Sequence, residues 1–261
     1  MKNNRILISS KLKKTRVVLR DHRLARYVPS TRTYSKARLR KMLDRYHLVY
    51  MKPNRGSLGV GVMRVEKRGG TYKYQAGTKK RTFSSFRAMV SSLQQRVRGK
   101  SYLVQKGIRV LKRNRRPFDF RVVIQKNHHG VWEPTGAAGR VAHPRKAVTN
   151  GSQGGTIFSV QKLLRPHAGS YRSYKLMKKM NRIARLTATQ FSRAYPAVHE
   201  LGLDIAVDRN LYPWILEVNT SPDPCPFTKL RDKSMIRKIV AYGRANGRRY
   251  SLHCSRAKSG R

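Results

Sequence analysis

Short apolar runs bounded by turn formers recur along this chain, and four longer stretches carry a helical period instead. Over residues 34–46, Leu39, Met42, Leu43 and Tyr46 share one helical face, with Ser35 placed to cap it. Phe86, Met89, Val90, Leu93 and Val97 form a second stripe within residues 83–97. A long helix is expected from about 171 to 195, with Met177, Met180, Ala184, Ala188 and Phe191 inward as core filler. Pro196 ends it. Residues 236–242 read as a last short helix. Strand-like runs fill the intervals at 48–51, 63–65, 72–74, 102–105, 118–125 and 131–141, the second and third forming a hairpin about Gly69-Gly70. Asp119 and Arg121 fall on one face of the 118–125 run.

The chain is organised around residues 201–223, two apolar strands joined at the turn formers Asp208-Arg209-Asn210. Glu217 and Asn219 stand two apart and so leave the same face, while Val218 between them turns to the core. Closure of the turn near Arg209 brings Asp204 of the first strand close to Glu217 of the second. Two carboxylates and an amide oxygen converging there are hard ligands suited to Mg²⁺, which takes few protein ligands and completes its shell with phosphate oxygens. The plainer reading is that Asp204 and Glu217 are structural partners of two arginines, and the hairpin alone leaves both open.

Charge sharpens that choice. Among 261 residues there are 60 Lys+Arg against 11 Asp+Glu, a formal net charge of +49. A carboxylate beside an apolar strand is therefore conspicuous. The field attracts polyanions such as nucleic acid or acidic polypeptide, yet the basic residues are spread over the whole chain. No zinc-finger spacing or aromatic RNA-binding signature accompanies them, so a generally basic surface and a dedicated polyanion site both stand. The 39% hydrophobic content is low but patterned, which speaks against disorder throughout.

No run approaches the roughly 18 apolar residues of a membrane span, and the N-terminal apolar run is only Ile6-Leu7-Ile8, so neither a span nor a secretory signal is read in the sequence. Cys225 and Cys254 lack metal spacing and read as isolated thiols of a reduced, cytoplasmic protein. Residues 244–261 read as a loose basic tail. The histidines form no Ser-His-Asp pattern, and the pair before Gly130 sits at a turn.

Two glycine-rich loops carry further candidate chemistry. Lys52-Pro53 precedes Gly56, Ser57, Gly59 and Gly61, where backbone N–H groups could approach an anion beside a lysine charge. It is not a Walker loop, because no Gly-Lys-Ser/Thr opens a following helix, and glycine-rich hairpin loops are common. The second runs from Thr149 to Gly155 and includes Asn150.

Taken in order, these pieces resemble the ATP-grasp superfamily over roughly residues 10–245. They are a Lys-Pro and glycine loop, a hinge strand in L-V-Q-K-G-I, D-F-R-V, an Asn-containing glycine loop, and Asp…Glu-x-Asn on a hairpin. The likeness is greatest to the YheC/YheD, spore-coat-associated branch, with ribosomal-protein glutamate ligases more distant. The resemblance implies an α+β fold of two lobes with ATP between them: an N-terminal segment 1–33, a small lobe 34–104, a large lobe 105–245 and a tail 246–261. Most of the usual N-terminal domain is missing from that plan.

It implies roles as well. Lys52 contacts the α/β-phosphates beneath the 56–61 flap, and Val104, Gln105 and Lys106 meet adenine through backbone groups. Arg121 meets the transferred phosphate, with Asn150, Gly154 and Gly155 near it. Lys11 is a further nucleotide-binding lysine, and Asp204, Glu217 and Asn219 bind Mg²⁺. The implied activity is ATP-dependent carboxylate–amine ligation through an acyl phosphate, needing no nucleophilic side chain. An acidic peptide or small carboxylate is the expected substrate and a spore association the implied setting. A non-catalytic basic binding or structural protein on the same scaffold is the alternative.

Overall fold

The computed structural model describes residues 7–145, 154–254 and 257–260. It opens on α1 (Lys11–Leu19) and α2 (His22–Ala25), then β1 (Thr31–Thr33), α3 (Lys36–Tyr46), β2 (Leu48–Pro53), β3 (Met63–Arg68), β4 (Thr71–Ala76), β5 (Lys79–Phe83), α4 (Phe86–Val97) and β6 (Tyr102–Lys106). The strands form one antiparallel six-stranded sheet in the order β1-β6-β2-β3-β4-β5. Leu39, Leu43, Met89 and Leu93, from the two predicted stripes, bury against Val49, Met51, Val65 and Tyr74 of this sheet. Ser35 and Ser85 cap the two helices through backbone N–H groups, as their residue type favours.

The second half contains β7 (Lys112–Arg113), β8 (Arg116–Lys126), β9 (Trp132–Val141), β10 (Thr156–Phe158), α5 (Val160–Ala194), β11 (Glu200–Val207), β12 (Pro213–Asn219), α6 (Ser234–Ala245) and β13 (Lys258–Ser259). Its sheet runs β12-β11-β8-β9-β10-β13, with β7 beside β8. Both faces of β8 are covered, which explains its nearly continuous apolar run. Phe120, Val122 and Ile124 pack with Leu163, Ile183 and Phe191 of α5, while Val123 packs with Phe227, Ile236 and Ile239 on the opposite side. A Cβ on Gly139 would stand 2.3 Å from Leu163, so the absent side chain is what lets α5 lie close to the sheet. The fold is thus α+β, with two sheets and a helical layer on each.

Several elements depart from the sequence reading. Non-helical backbone at Gly169 (φ 66°, ψ 175°) divides α5 into two helices: the second matches the helix expected from about 171, and the first, over 160–168 and containing Pro166, was not expected. Residues 11–19, for which no element is expected from the sequence, are helical; Ser10 caps them, and Val17 and Val18 join the core of the large sheet. β5 escaped notice since four of its five residues are exposed and polar. β1 lies inside the expected 1–33 segment yet pairs with β6 of the small sheet.

The tail is not loose. Arg248 Nε lies 2.7 Å from a Glu200 carboxylate oxygen, the Tyr250 hydroxyl donates to the same carboxylate, and Gln125 Nε2 donates to the Tyr250 oxygen at 3.0 Å. β13 adds in parallel to β10. Cys225 and Cys254 form a disulfide across Cα atoms 5.5 Å apart, which corrects the reading of reduced thiols. A sequence separation of 29 hid their proximity, which only the packing of the tail creates.

Candidate functional site

The β11–β12 hairpin is closed by Asp208, whose Oδ1 accepts from the backbone of Asn210 and Tyr212 at 2.9 and 3.0 Å. That closure sets Asp204 directly opposite Glu217. Immediately beyond, a bulge leaves Leu216 without a register partner and turns its carbonyl toward the small lobe. Lys52 Nζ and Gln105 Nε2 both approach that carbonyl at 3.5 Å. The two sheets therefore meet across a cleft of about 290 Å³. Lys11, Lys52, the flap residues Ser57 and Gly59, and Gln105 line one side; Arg121, Asp204, Glu217 and Asn219 line the other.

The electrostatics of the cleft are dense. Arg121 Nε donates to Asp204 Oδ1 at 2.6 Å, and Arg140 reaches the same oxygen at 3.1 Å. Arg140 also grips Asp119 through two parallel bonds of 2.8 and 2.7 Å. Burial alone would raise the Asp204 pKa, but the two guanidinium groups outweigh it and hold it at about 2. On Lys52 burial is the larger effect and lowers the pKa despite the attraction of Glu217 and Asp204. Lys14 is lowered for the same reason. Lys11 Nζ donates to the Gly56 carbonyl at 2.6 Å and stands 3.6 Å from Glu217, so one ammonium ties the flap to the opposite wall.

Of the residues singled out in the sequence, the cleft gathers Lys11, Lys52, Ser57, Gly59, Gln105, Lys106, Arg121, Asp204, Glu217 and Asn219. Gly56 and Gly61 belong to the same loop, both at positive φ (113° and 74°). The Val104 side chain lies wholly in the small-lobe core. The Gln105 side chain faces the cleft, accepting from Lys52 Nζ at 2.7 Å and donating to Thr31. Gly154 packs by His143, and the Gly155 carbonyl accepts from Lys258, so neither lines the cleft. Asn150 lies outside the described residues. Tyr50, Lys14 and Arg140 were missed: Tyr50 and Arg140 sit inside strand-like runs, and nothing in a basic stretch marks Lys14 as inward.

No group of three or more His, Cys, Asp or Glu side chains suited to a metal exists among the described residues. An Asp, Glu and Asn set nevertheless fits Mg²⁺, whose coordination is completed by water and phosphate. Asp204 is firmly ionised, and Lys11 and Lys14 stand 3.6 Å from Glu217, beyond tight hydrogen-bond range. Asn219 spends its amide N–H on the Gly202 carbonyl at 3.4 Å, which leaves its Oδ1 as the group with capacity for a cation.

Two α+β lobes closing on a lysine-and-glycine loop from one side and a carboxylate–carboxylate–amide set from the other define an ATP-grasp protein. The chain belongs to the YheC/D-like ATP-grasp family, whose profile matches residues 2–243. It is 26% identical over 211 residues to the endospore coat-associated protein YheD of Bacillus subtilis, covering 78% of this chain and 46% of that one. To the endospore coat-associated protein YheC of the same organism it is 26% identical over 204 residues, covering 75% of this chain and 55% of the relative. The chain thus spans about half the length of the curated relatives it matches. No helix among the described residues is long and apolar enough to cross a membrane.

Proposed function

We propose that the protein is an ATP- and Mg²⁺-dependent carboxylate–amine ligase. The observation that carries this reading is the shared cleft. Lys52 and the flap stand on one wall, and Arg121, Asp204, Glu217 and Asn219 on the other, around a space of about 290 Å³. In this reading Lys52 and Lys11 neutralise phosphate oxygens, and the 56–61 loop covers them and excludes water. Asp204, Glu217 and Asn219 hold Mg²⁺, which supplies charge neutralisation at the phosphates. Arg121 faces the developing charge as a carboxylate oxygen attacks the terminal phosphorus and ADP leaves. An amine then attacks the acyl carbon, phosphate departs, and the amine loses its proton. Phosphoryl transfer of this kind relies on positioning and cations, both of which the cleft offers. The sheet of β1 to β6 serves as the small lobe and the sheet of β7 to β13 as the large one, so the expected bounds at 34 and 104 widen to 31 and 106.

Carboxylates whose neighbours are already cationic favour a second reading. Asp204 has Arg121 and Arg140, and Glu217 has Lys11 and Lys14, so the site is charge-compensated by protein groups alone. A non-catalytic basic coat component on the same scaffold would use it that way, in keeping with the coat-associated names of the relatives. The two are separated by incubating the protein with Mg-ATP and acidic peptides in the presence of free amino acids. ADP release together with a peptide mass increase for amide formation supports the ligase. Absence of both across a broad peptide set supports the coat component.

A further inference from the structure

A second concavity, of about 300 Å³, lies on the open face of β3, β4 and β5. Register connects it to the cleft. Gln105, Tyr50, Arg64, Gln75 and Lys80 stand directly opposite one another on β6, β2, β3, β4 and β5, so their side chains leave the same face. Gln105 and Tyr50 line the cleft, whereas Arg64, Gln75 and Lys80 line the groove. Three strand spacings separate Tyr50 from Lys80, about 14 Å, the span of roughly four extended residues.

Arg64, Arg68, Lys73 and Lys80 face a single carboxylate in this groove, Glu66, which is held by Arg64. Arg68, Lys73 and Lys80 are exposed and have no carboxylate partner among the described residues. Between the charges stand Thr82 and Gln75; Gln75 Nε2 already donates to the Gly77 and Arg145 carbonyls, so Gln75 offers its Oε1 and Thr82 its hydroxyl to an amide. The one ring at the groove, Tyr74, is only 2% exposed and stacks on Phe83, so bases would find no platform to stack on.

We propose that this groove binds an acidic polypeptide segment and leads its carboxylate into the cleft. Its role as a substrate path rests on the ligase reading; its binding does not. The test measures fluorescence anisotropy of a labelled oligoglutamate peptide without nucleotide. It compares wild type with the double variant Lys73→Glu, Lys80→Glu and with Lys175→Glu, Lys178→Glu on the exposed face of α5, a control for the general basic field. The groove pair is expected to weaken binding about tenfold or more and the α5 pair less than about twofold, since reversing a charge at the docking site replaces attraction with repulsion. Equal losses in the two variants overturn the proposal. So does an equally large loss, in the groove pair, of binding to an oligothymidylate of matching charge, which would make the groove a general polyanion site. An unchanged circular-dichroism spectrum and a cooperative thermal transition near that of wild type in both variants verify folding. A wild type that binds peptide through the groove yet shows no Mg-ATP stabilisation sinks the ligase reading and leaves the groove standing.

Discussion

Lys52 Nζ donates to Gln105 Oε1 at 2.7 Å, across the adjacent strands β2 and β6. The pair fixes an ammonium at the floor of the cleft in surroundings that lower its pKa. A lowered lysine pKa means the unfolded chain binds more protons between the folded value and 10.5, so over that window stability rises with pH. The Lys52→Met variant removes that contribution. Urea unfolding at pH 8 and pH 10 is expected to show a smaller gain for the variant than for wild type. The same change is expected to weaken Mg-ATP binding about tenfold to a hundredfold, the loss of one charge-assisted phosphate contact.

Arg140 bridges Asp119 and Asp204 in a fully buried triad. Its replacement by Met leaves two carboxylates short of their partner. A loss of about 3–5 kcal/mol in urea unfolding is expected. Adding Asp119→Asn to Arg140→Met is expected to recover part of it, because one of the stranded charges is then gone.

Asp204, held at about 2, gives the site a defined acid response. Its folded pKa lies below the unfolded value of about 3.9, so its stabilisation is present above that value and fades as pH falls through about 2. Asp204→Asn is expected to be less stable than wild type at pH 6, with the gap closing below about pH 3. Thermal unfolding of both proteins across this range checks it.

The disulfide joins the tail to the loop after Asn219, and that loop places Ser221, Asp223 and Pro226 on the cleft. For a closed loop of 29 residues, chain entropy gives roughly 3–4 kcal/mol of stabilisation. Treatment with a dithiol reductant is expected to lower the unfolding temperature, and Cys225→Ser to reproduce the shift and lose further response to reductant.

Much of this molecule is legible before folding because its chemistry follows local periods. The two-residue spacing of Glu217 and Asn219, and the turn at Asp208, determine which side chains meet, and β11–β12 pairs accordingly. The stripes of α3 and α4 are equally local. What escaped is what depends on distant partners. Arg140 looks like any arginine until Asp119 and Asp204 surround it, and Lys14 turns inward only because α1 packs beside β12 and Glu217. The tail is held by Glu200, Gln125 and Cys225, a polar and covalent anchorage that no apolar run announces. The short helix before Gly169 went unread because Pro166 inside it argues against a helix, while the break at Gly169 itself agrees with a start near 171.

Calorimetric titration of ATP into the protein, with and without Mg²⁺, for wild type and Glu217→Ala, bears most directly on the cleft as a Mg-ATP site. The account predicts binding by wild type that strengthens markedly with Mg²⁺, and a Glu217→Ala protein whose ATP affinity no longer responds to the metal. Wild-type affinity that is the same with and without Mg²⁺, or a variant that keeps the full metal response, would contradict it.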